Sequence, residues 1–199
     1  MHLQEKLLWF EYFFQHHSGV SSARNLGIRK SNSDYVAFLD TDNTWSCEFL
    51  SLMTSFSKLY QLDAAYCAAI IKSDNNRQLS WLGNYFDWQQ CLNSNFIDLN
   101  CFMVSRLMLN KKGILFDENL ERFVDWDLIL GVTYDSRVAF LDCALVNYYN
   151  GTLVQRITTH EYIGKEQEVL KYIRSKHDHN KNNVDALSYR KNSYFFQEP

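Results

Sequence analysis

Long apolar runs are missing from this chain of 199 residues, and so is a basic start leading into an apolar stretch and a small-residue cleavage site. Neither a membrane span nor a secretory leader is expected. A surplus of basic residues is missing too. Its 20 Lys and Arg against 23 Asp and Glu leave a net charge of -3, and without clustered cations a nucleic-acid backbone has nothing to hold it. Cysteine pairs are absent: Cys47, Cys67, Cys91, Cys101 and Cys143 are odd in number and scattered, with no C-x-x-C. That pattern excludes a zinc site and a disulfide framework and reads as small core residues of a reduced compartment. With one proline, no internal repeat and no linker, 46% hydrophobic and 16% aromatic residues describe one globular domain with a real core. A cytoplasmic location is expected, with contact at the inner face of the membrane left open.

What is present centres on Asp40-Thr41-Asp42, which ends the apolar run Tyr35-Val36-Ala37-Phe38-Leu39 and precedes Asn43-Thr44-Trp45. β-Branched and aromatic residues stopping at two carboxylates describe a buried strand that delivers acids to the carboxyl edge of a sheet. Acids one residue apart suit a hard cation, Mg²⁺ or Mn²⁺, which takes its remaining ligands from water and substrate phosphates.

Periodicity predicts a short amphipathic helix over Leu3–Phe10, a strand at Tyr12–Phe14, a helix over Ser21–Lys30 capped by Ser21 or Ser22, and the strand ending at Asp40. Further on it predicts a helix over Cys47–Leu62 and strands over Ala64–Ile71, Phe96–Val104 and Val138–Tyr149, with a helix over Asp125–Tyr134. A polar helix over Glu161–Lys176 leads into an Asn- and Lys-rich tail, so the expected division is 1–158 for the domain and 159–199 for helix and tail. Alternating strands and helices argue α/β. Trp81, Tyr85 and Trp88 suit either a sugar-stacking platform or core and lid packing. His16 and His17 read as surface residues, and a lone His160 is a weak candidate for a metal or phosphate ligand.

Gly19-Val20-Ser21-Ser22-Ala23-Arg24-Asn25-Leu26-Gly27-Ile28, Phe38-Leu39-Asp40-Thr41-Asp42-Asn43-Thr44-Trp45, Phe116-Asp117-Glu118-Asn119-Leu120 and Val124-Asp125-Trp126-Asp127-Leu128 follow one another in an order that resembles family 2 glycosyltransferases of the GT-A fold. The resemblance implies a Rossmann-like mixed sheet flanked by helices. It also implies a nucleotide-sugar donor, UDP by family habit, bound through Mn²⁺ or Mg²⁺ held by Asp42, with Asp40 close to the ribose or the metal. Arg24 matches an arginine near the nucleotide, and Asp125 matches the base that takes the proton of an acceptor hydroxyl, with inversion at the sugar. A glycan or lipid-linked acceptor and a role in cell-envelope polysaccharide assembly are implied in the same way. Asp127 reads as a helix-start carboxylate beside the macrodipole.

Two departures from the family pattern stand out. The usual Glu-Asp pair before the tryptophan is Val124-Asp125, which drops one acid and keeps the base. The family's first strands, which carry the acid that reads the nucleotide base, precede the point where this sequence begins, so an N-terminally truncated sheet is expected. Either the Tyr12–Phe14 strand pairs directly with the Tyr35–Leu39 strand, or an unpaired apolar edge invites aggregation or a partner chain. Two alternatives remain at this stage: an inactive or complementation-dependent C-terminal fragment of such an enzyme, and a haloacid-dehalogenase-like phosphatase using Asp40 as nucleophile and Asp42 as acid/base.

Overall fold

The computed structural model describes residues 10–73, 75–149 and 166–178. The expected helix over Leu3–Phe10, His160, the first residues of the expected helix at 161 and the polar tail lie wholly or mostly outside them, as does the expected domain boundary at 158.

Six strands form one mixed sheet: β1 (Tyr35–Ala37), β2 (Thr44–Trp45), β3 (Ala64–Lys72), β4 (Gln78–Leu82), β5 (Phe102–Ser105) and β6 (Val138–Tyr149), in the spatial order β1-β5-β3-β6-β2 with β4 beside β3. β3 runs parallel to β6 along its whole length and antiparallel to β5 and β4. Its first six residues are buried, as befits a strand covered on both faces, and it reads accordingly as an apolar run of small residues. The pleat sorts side chains by parity. Val36, Ala64, Tyr66, Phe102 and Val104 face the larger cluster; Ala65, Cys67, Ala69, Cys101 and Met103 face the smaller.

Helices cover both faces. On the larger cluster lie α1 (Gly19–Lys30), α3 (Trp88–Asn93), α4 (Arg106–Lys112), α5 (Val124–Thr133) and α6 (Glu166–His177); α2 (Phe49–Leu59) closes the other through Phe49 and Met53. α5 is buried at Val124, Trp126, Leu128, Ile129, Leu130 and Val132, which marks it as the central helix of its layer. Its far end is held by Lys112, whose ammonium donates to Val132 O (3.1 Å), to Tyr134 O and to Ser136 Oγ (2.8 Å). Burial pulls the Lys112 pKa down from its ordinary value.

Several expected elements differ. Tyr12–Phe14 is not a strand; Phe10, Tyr12, Phe13 and Phe14 lie exposed, with no strand paired to them among the described residues, because β propensity needs a pleated neighbour to pack on. α1 starts at Gly19, so Ser21 is buried inside the helix instead of capping it. The expected strand Phe96–Val104 is broken at its front: Asp98 accepts from the Asn100 backbone N–H and opens a 3₁₀ turn, Leu99–Cys101, before β5 starts. Such local side-chain bonds compete with the sheet ladder. Of the cysteines, Cys67, Cys91 and Cys101 are buried, Cys143 is half-buried and Cys47 is exposed.

Gly83, just past β4, shows how closely this layer packs. A Cβ there would meet Phe140 Cζ at 2.8 Å, Ala68 Cβ at 2.9 Å and Trp81 Nε1 at 3.0 Å. Ala68 cannot retreat, since it belongs to the central strand. Gly83→Ala is therefore expected to destabilise the fold by about 1–3 kcal/mol, read as a fall of several degrees in Tm; an unchanged Tm would mean that Phe140 and Trp81 swing away at no cost.

Candidate active site

The antiparallel pairing of β1 with β5 matches Ala37 to Met103. Continuing that register three residues places Asp40, beyond the carboxyl end of β1, opposite Asn100, ahead of β5. The side chains meet there. Asn100 Oδ1 accepts from the Asp40 backbone N–H (2.7 Å), its Nδ2 donates to Asp40 Oδ2 (3.3 Å) and to Asp98 Oδ1 (2.8 Å), and its carbonyl accepts from Trp45 Nε1 (2.8 Å). One buried asparagine thus touches both ends of the loop from Asp40 to Trp45.

Arg24, on α1, donates from Nη2 to Asp40 Oδ1 at 2.6 Å. Its guanidinium also lies over the Phe116 ring, 5.4 Å from the centroid, and Phe116 meets Phe38 edge-on at 5.3 Å. The neighbouring Asn25 is buried and explains why α1 and the Phe116 segment go together. Its amide accepts from Phe116 N–H (2.8 Å) and donates to Phe116 O (3.0 Å) and Glu118 Oε1 (2.8 Å). Two of the quoted motifs are therefore joined by one side chain.

Asp42 is exposed at the tip of the loop. Asn43 Nδ2 donates to its Oδ1 at 3.1 Å, and Asn43 Oδ1 in turn accepts from the Tyr149 backbone N–H at 3.1 Å, which ties the tip to the end of β6. This donor set fits a hexacoordinate Mg²⁺ or Mn²⁺, which needs only one or two carboxylates when phosphates and water complete its shell. Asp42, exposed and bonded at Oδ1 by Asn43, still turns Oδ2 to such an ion. Asp40 already shares its oxygens with Arg24 and Asn100.

Asp125 lies in the first turn of α5. Its Oδ2 accepts from Asn95 Nδ2 at 3.3 Å. The approach to α5 is bent by Phe123, whose φ of 57° is left-handed, a conformation that costs a bulky residue roughly 1–2 kcal/mol. The ring contacts that accompany it are Trp126, edge-on at 6.0 Å, and the Arg122 guanidinium at 5.4 Å. Trp126 is buried and donates from Nε1 to Cys91 O at 2.7 Å, locking α5 to α3.

Asp98 joins the two halves electrostatically. Burial first, and then the charges of Asp125 and Asp40, push its carboxyl pKa up against the opposing bonds from Asn100. Both expected site acids therefore face the same half-buried carboxylate, at one sheet edge. Sequence reasoning missed Asn95, Asp98, Asn100 and Asn43. No signal short of strand register points to Asn100, whereas the Asn43 that follows the second acid was visible as a turn former.

Asp127 is more than a helix-start carboxylate. It is buried, with its oxygens taken by His177 Nε2 (2.8 Å) and Lys176 Nζ (2.8 Å) from the end of α6; Lys176 also reaches Asp117 at 3.1 Å. Of the aromatic candidates, Trp88 packs in the core, while Trp81 and Tyr85 are exposed. His16 and His17 are exposed, as expected.

The family model described as glycosyl transferase family 2 matches residues 3–117. An uncharacterized glycosyltransferase of Rickettsia bellii (strain RML369-C) is 46% identical over 46 residues, which is 23% of this chain and 7% of that one. Among solved structures, S. aureus TarS 1–349 in complex with UDP-GlcNAc superposes with a TM-score of 0.60 at 18% identity, covering 78% of this chain and 46% of that one. The same TarS fragment in complex with UDP gives 0.55 at 17% identity, over 66% and 40%. At such identities the likeness speaks for the fold, a GT-A-type mixed α/β sheet. The chain spans less than half the length of these TarS chains. For the two readings of Asp40-Thr41-Asp42 the match decides in favour of a transferase over a phosphatase. With more than half of its residues under that model, the chain belongs to glycosyl transferase family 2.

Proposed function

We propose that this chain carries the donor loop and base of an inverting, divalent-metal-dependent glycosyltransferase, which moves a sugar from a UDP-sugar to a hydroxyl of a glycan or lipid-linked acceptor. The observation that carries the reading is the sheet edge itself. One register brings Asp40, Asp98 and Asn100 together, and the same segment, through Asn95, holds Asp125. The TarS complexes with UDP and UDP-GlcNAc support the donor class.

Asp42 would hold the cation, and when bound the ion neutralises the diphosphate that leaves. Arg24, oriented between Asp40 and the Phe116 ring, presents its remaining N–H groups to donor oxygens. Asp125 accepts the proton of the acceptor hydroxyl as that oxygen bonds to the anomeric carbon. The bond from that carbon to phosphate oxygen breaks, its electron pair leaves with the diphosphate, and a single displacement inverts the centre. We place the reaction in the cytoplasm at the inner membrane face, in envelope polysaccharide assembly. Among the described residues no helix is long and apolar enough to cross a membrane.

A second reading, in which a further polypeptide completes the sheet before the site works, is favoured by one observation. Among the described residues β1 ends the sheet on its side, with its outer edge unpaired. Thermal unfolding with and without Mn²⁺ plus UDP separates the readings. Ligand at ~100 times its Kd adds roughly 2.7 kcal/mol, a rise of several degrees for a domain of this size. We expect that rise, and expect Asp42→Ala to abolish it. A cooperatively folded chain with no rise would sink donor binding by this chain alone and favour the second reading.

A further inference from the structure

We propose that Asn100 is the positioning residue of the donor loop, and that the stretch from Asn95 to Asn100 sets Asp40 and Asp125 relative to one another. The inference rests on the donor-site reading above and goes beyond it, since Asn100 belongs to none of the motifs that suggested that reading.

Three observations carry it. Asn100 is 2% exposed, so each polar atom of its side chain must find a partner inside the protein. Those partners are the Asp40 backbone N–H, the Asp40 carboxylate and Asp98. Its carbonyl meanwhile holds the Trp45 indole at 2.8 Å, and that indole stacks on Phe49 with ring centroids 4.0 Å apart. The loop that carries Asp42 is thus gripped at its first and last residues by one amino acid. Finally, Asp98 accepts from both the backbone N–H and Nδ2 of Asn100 at 2.8 Å. That fixes which way the amide points: N–H toward the two carboxylates, oxygen toward the Asp40 N–H. Only a carboxamide supplies a donor and an acceptor in that arrangement. Five residues back along the same stretch, Asn95 bonds Asp125, so a shift of Asn100 is felt at both acids.

A structural role and a positioning role differ in what a charge swap restores. Asn100→Asp keeps the shape but sets a carboxylate against Asp40 and Asp98; Asn100→Asp with Asp98→Asn returns a donor and acceptor to that pair while still facing Asp40 with an acid. We expect calorimetric titration of UDP in the presence of Mn²⁺ to show binding weakened about 10-fold or more in the single variant, as is usual for residues that orient a metal site. In the swap variant Tm recovers and binding does not. Asn100→Ser, smaller and uncharged, should show the same loss if neither carboxylate variant folds. A folded single variant that binds as the wild type does, or a swap variant that regains binding together with Tm, overturns the inference. Wild-type protein that binds no UDP with Mn²⁺ overturns the donor-site reading itself, a separate outcome.

Discussion

Asp125→Asn is expected to cut the rate of sugar transfer by about 10²–10⁴, the contribution typical of a positioned general base, while the protein stays folded. The asymmetry follows from the geometry. Asp125 is half-buried in the first turn of α5, where Asn95 Nδ2 donates to it at 3.3 Å. An amide can keep that contact through its oxygen, so little stability is at risk. What it cannot do is take a proton from an acceptor hydroxyl. On the proposed reading Asp125 acts on the acceptor and not on the donor, so UDP binding in the presence of Mn²⁺ should be untouched, and the loss should fall on kcat. The check is UDP release with a competent acceptor, run beside donor titration and Tm. A variant with wild-type kcat would remove Asp125 from the chemistry. Equal losses in donor affinity would move it to the donor side of the site.

Asn95→Ala would test the same acid indirectly. Without the Asn95 hydrogen bond the carboxylate gains freedom, and a smaller loss in kcat than that of Asp125→Asn is expected; an effect as large would make Asn95 itself a participant.

The parts of this protein that follow from local pattern were legible in its sequence. β3 and β6 begin where their apolar runs begin, α5 lies within a residue of its expected bounds, and the turn after Leu39 lies at the carboxyl edge, where strands of open sheets deliver acids. What escaped was set by partners distant in the chain. Asn100 meets Asp40 across 60 residues, and only the antiparallel register of β1 and β5 brings them level. Phe123 adopts a left-handed backbone with no glycine to announce it. Tyr12–Phe14 failed in the opposite sense, a good local strand signal with no strand to pair with among the described residues.

The same limit hid the bond that ties α6 to α5, and there the second large effect is expected. Asp127 is 3% exposed and bonds two side chains 49 and 50 residues away, Lys176 and His177. Truncating one member of a buried ionic pair costs about 3–5 kcal/mol, because the partner is left uncompensated. Here Lys176 is 35% exposed and can regain water, so for Asp127→Ala roughly 2–4 kcal/mol is the reasonable range. The pH dependence has a definite sign. Burial raises the Asp127 pKa, yet the bonds from His177 and Lys176 outweigh it and hold the carboxyl below its ordinary value. An acid held low contributes stability above its unfolded pKa and loses it as pH falls through the folded one. Lys176 is partly desolvated, which lowers its pKa, but Asp127 and Asp117 hold it above 10.5; its contribution is lost as pH climbs through that raised value. The clasp is therefore firm from weakly acid to weakly alkaline pH and opens at either extreme. Asp127→Asn should lower Tm near neutrality and flatten the acid limb of the Tm profile, while amide exchange in α6 accelerates ahead of global unfolding. An acid limb identical to wild type would show that α6 is held by Ile173 and its apolar contacts alone. Release of the clasp also frees the first turn of α5, two residues from Asp125, the proposed base, so transfer should fail on acidification before the fold does.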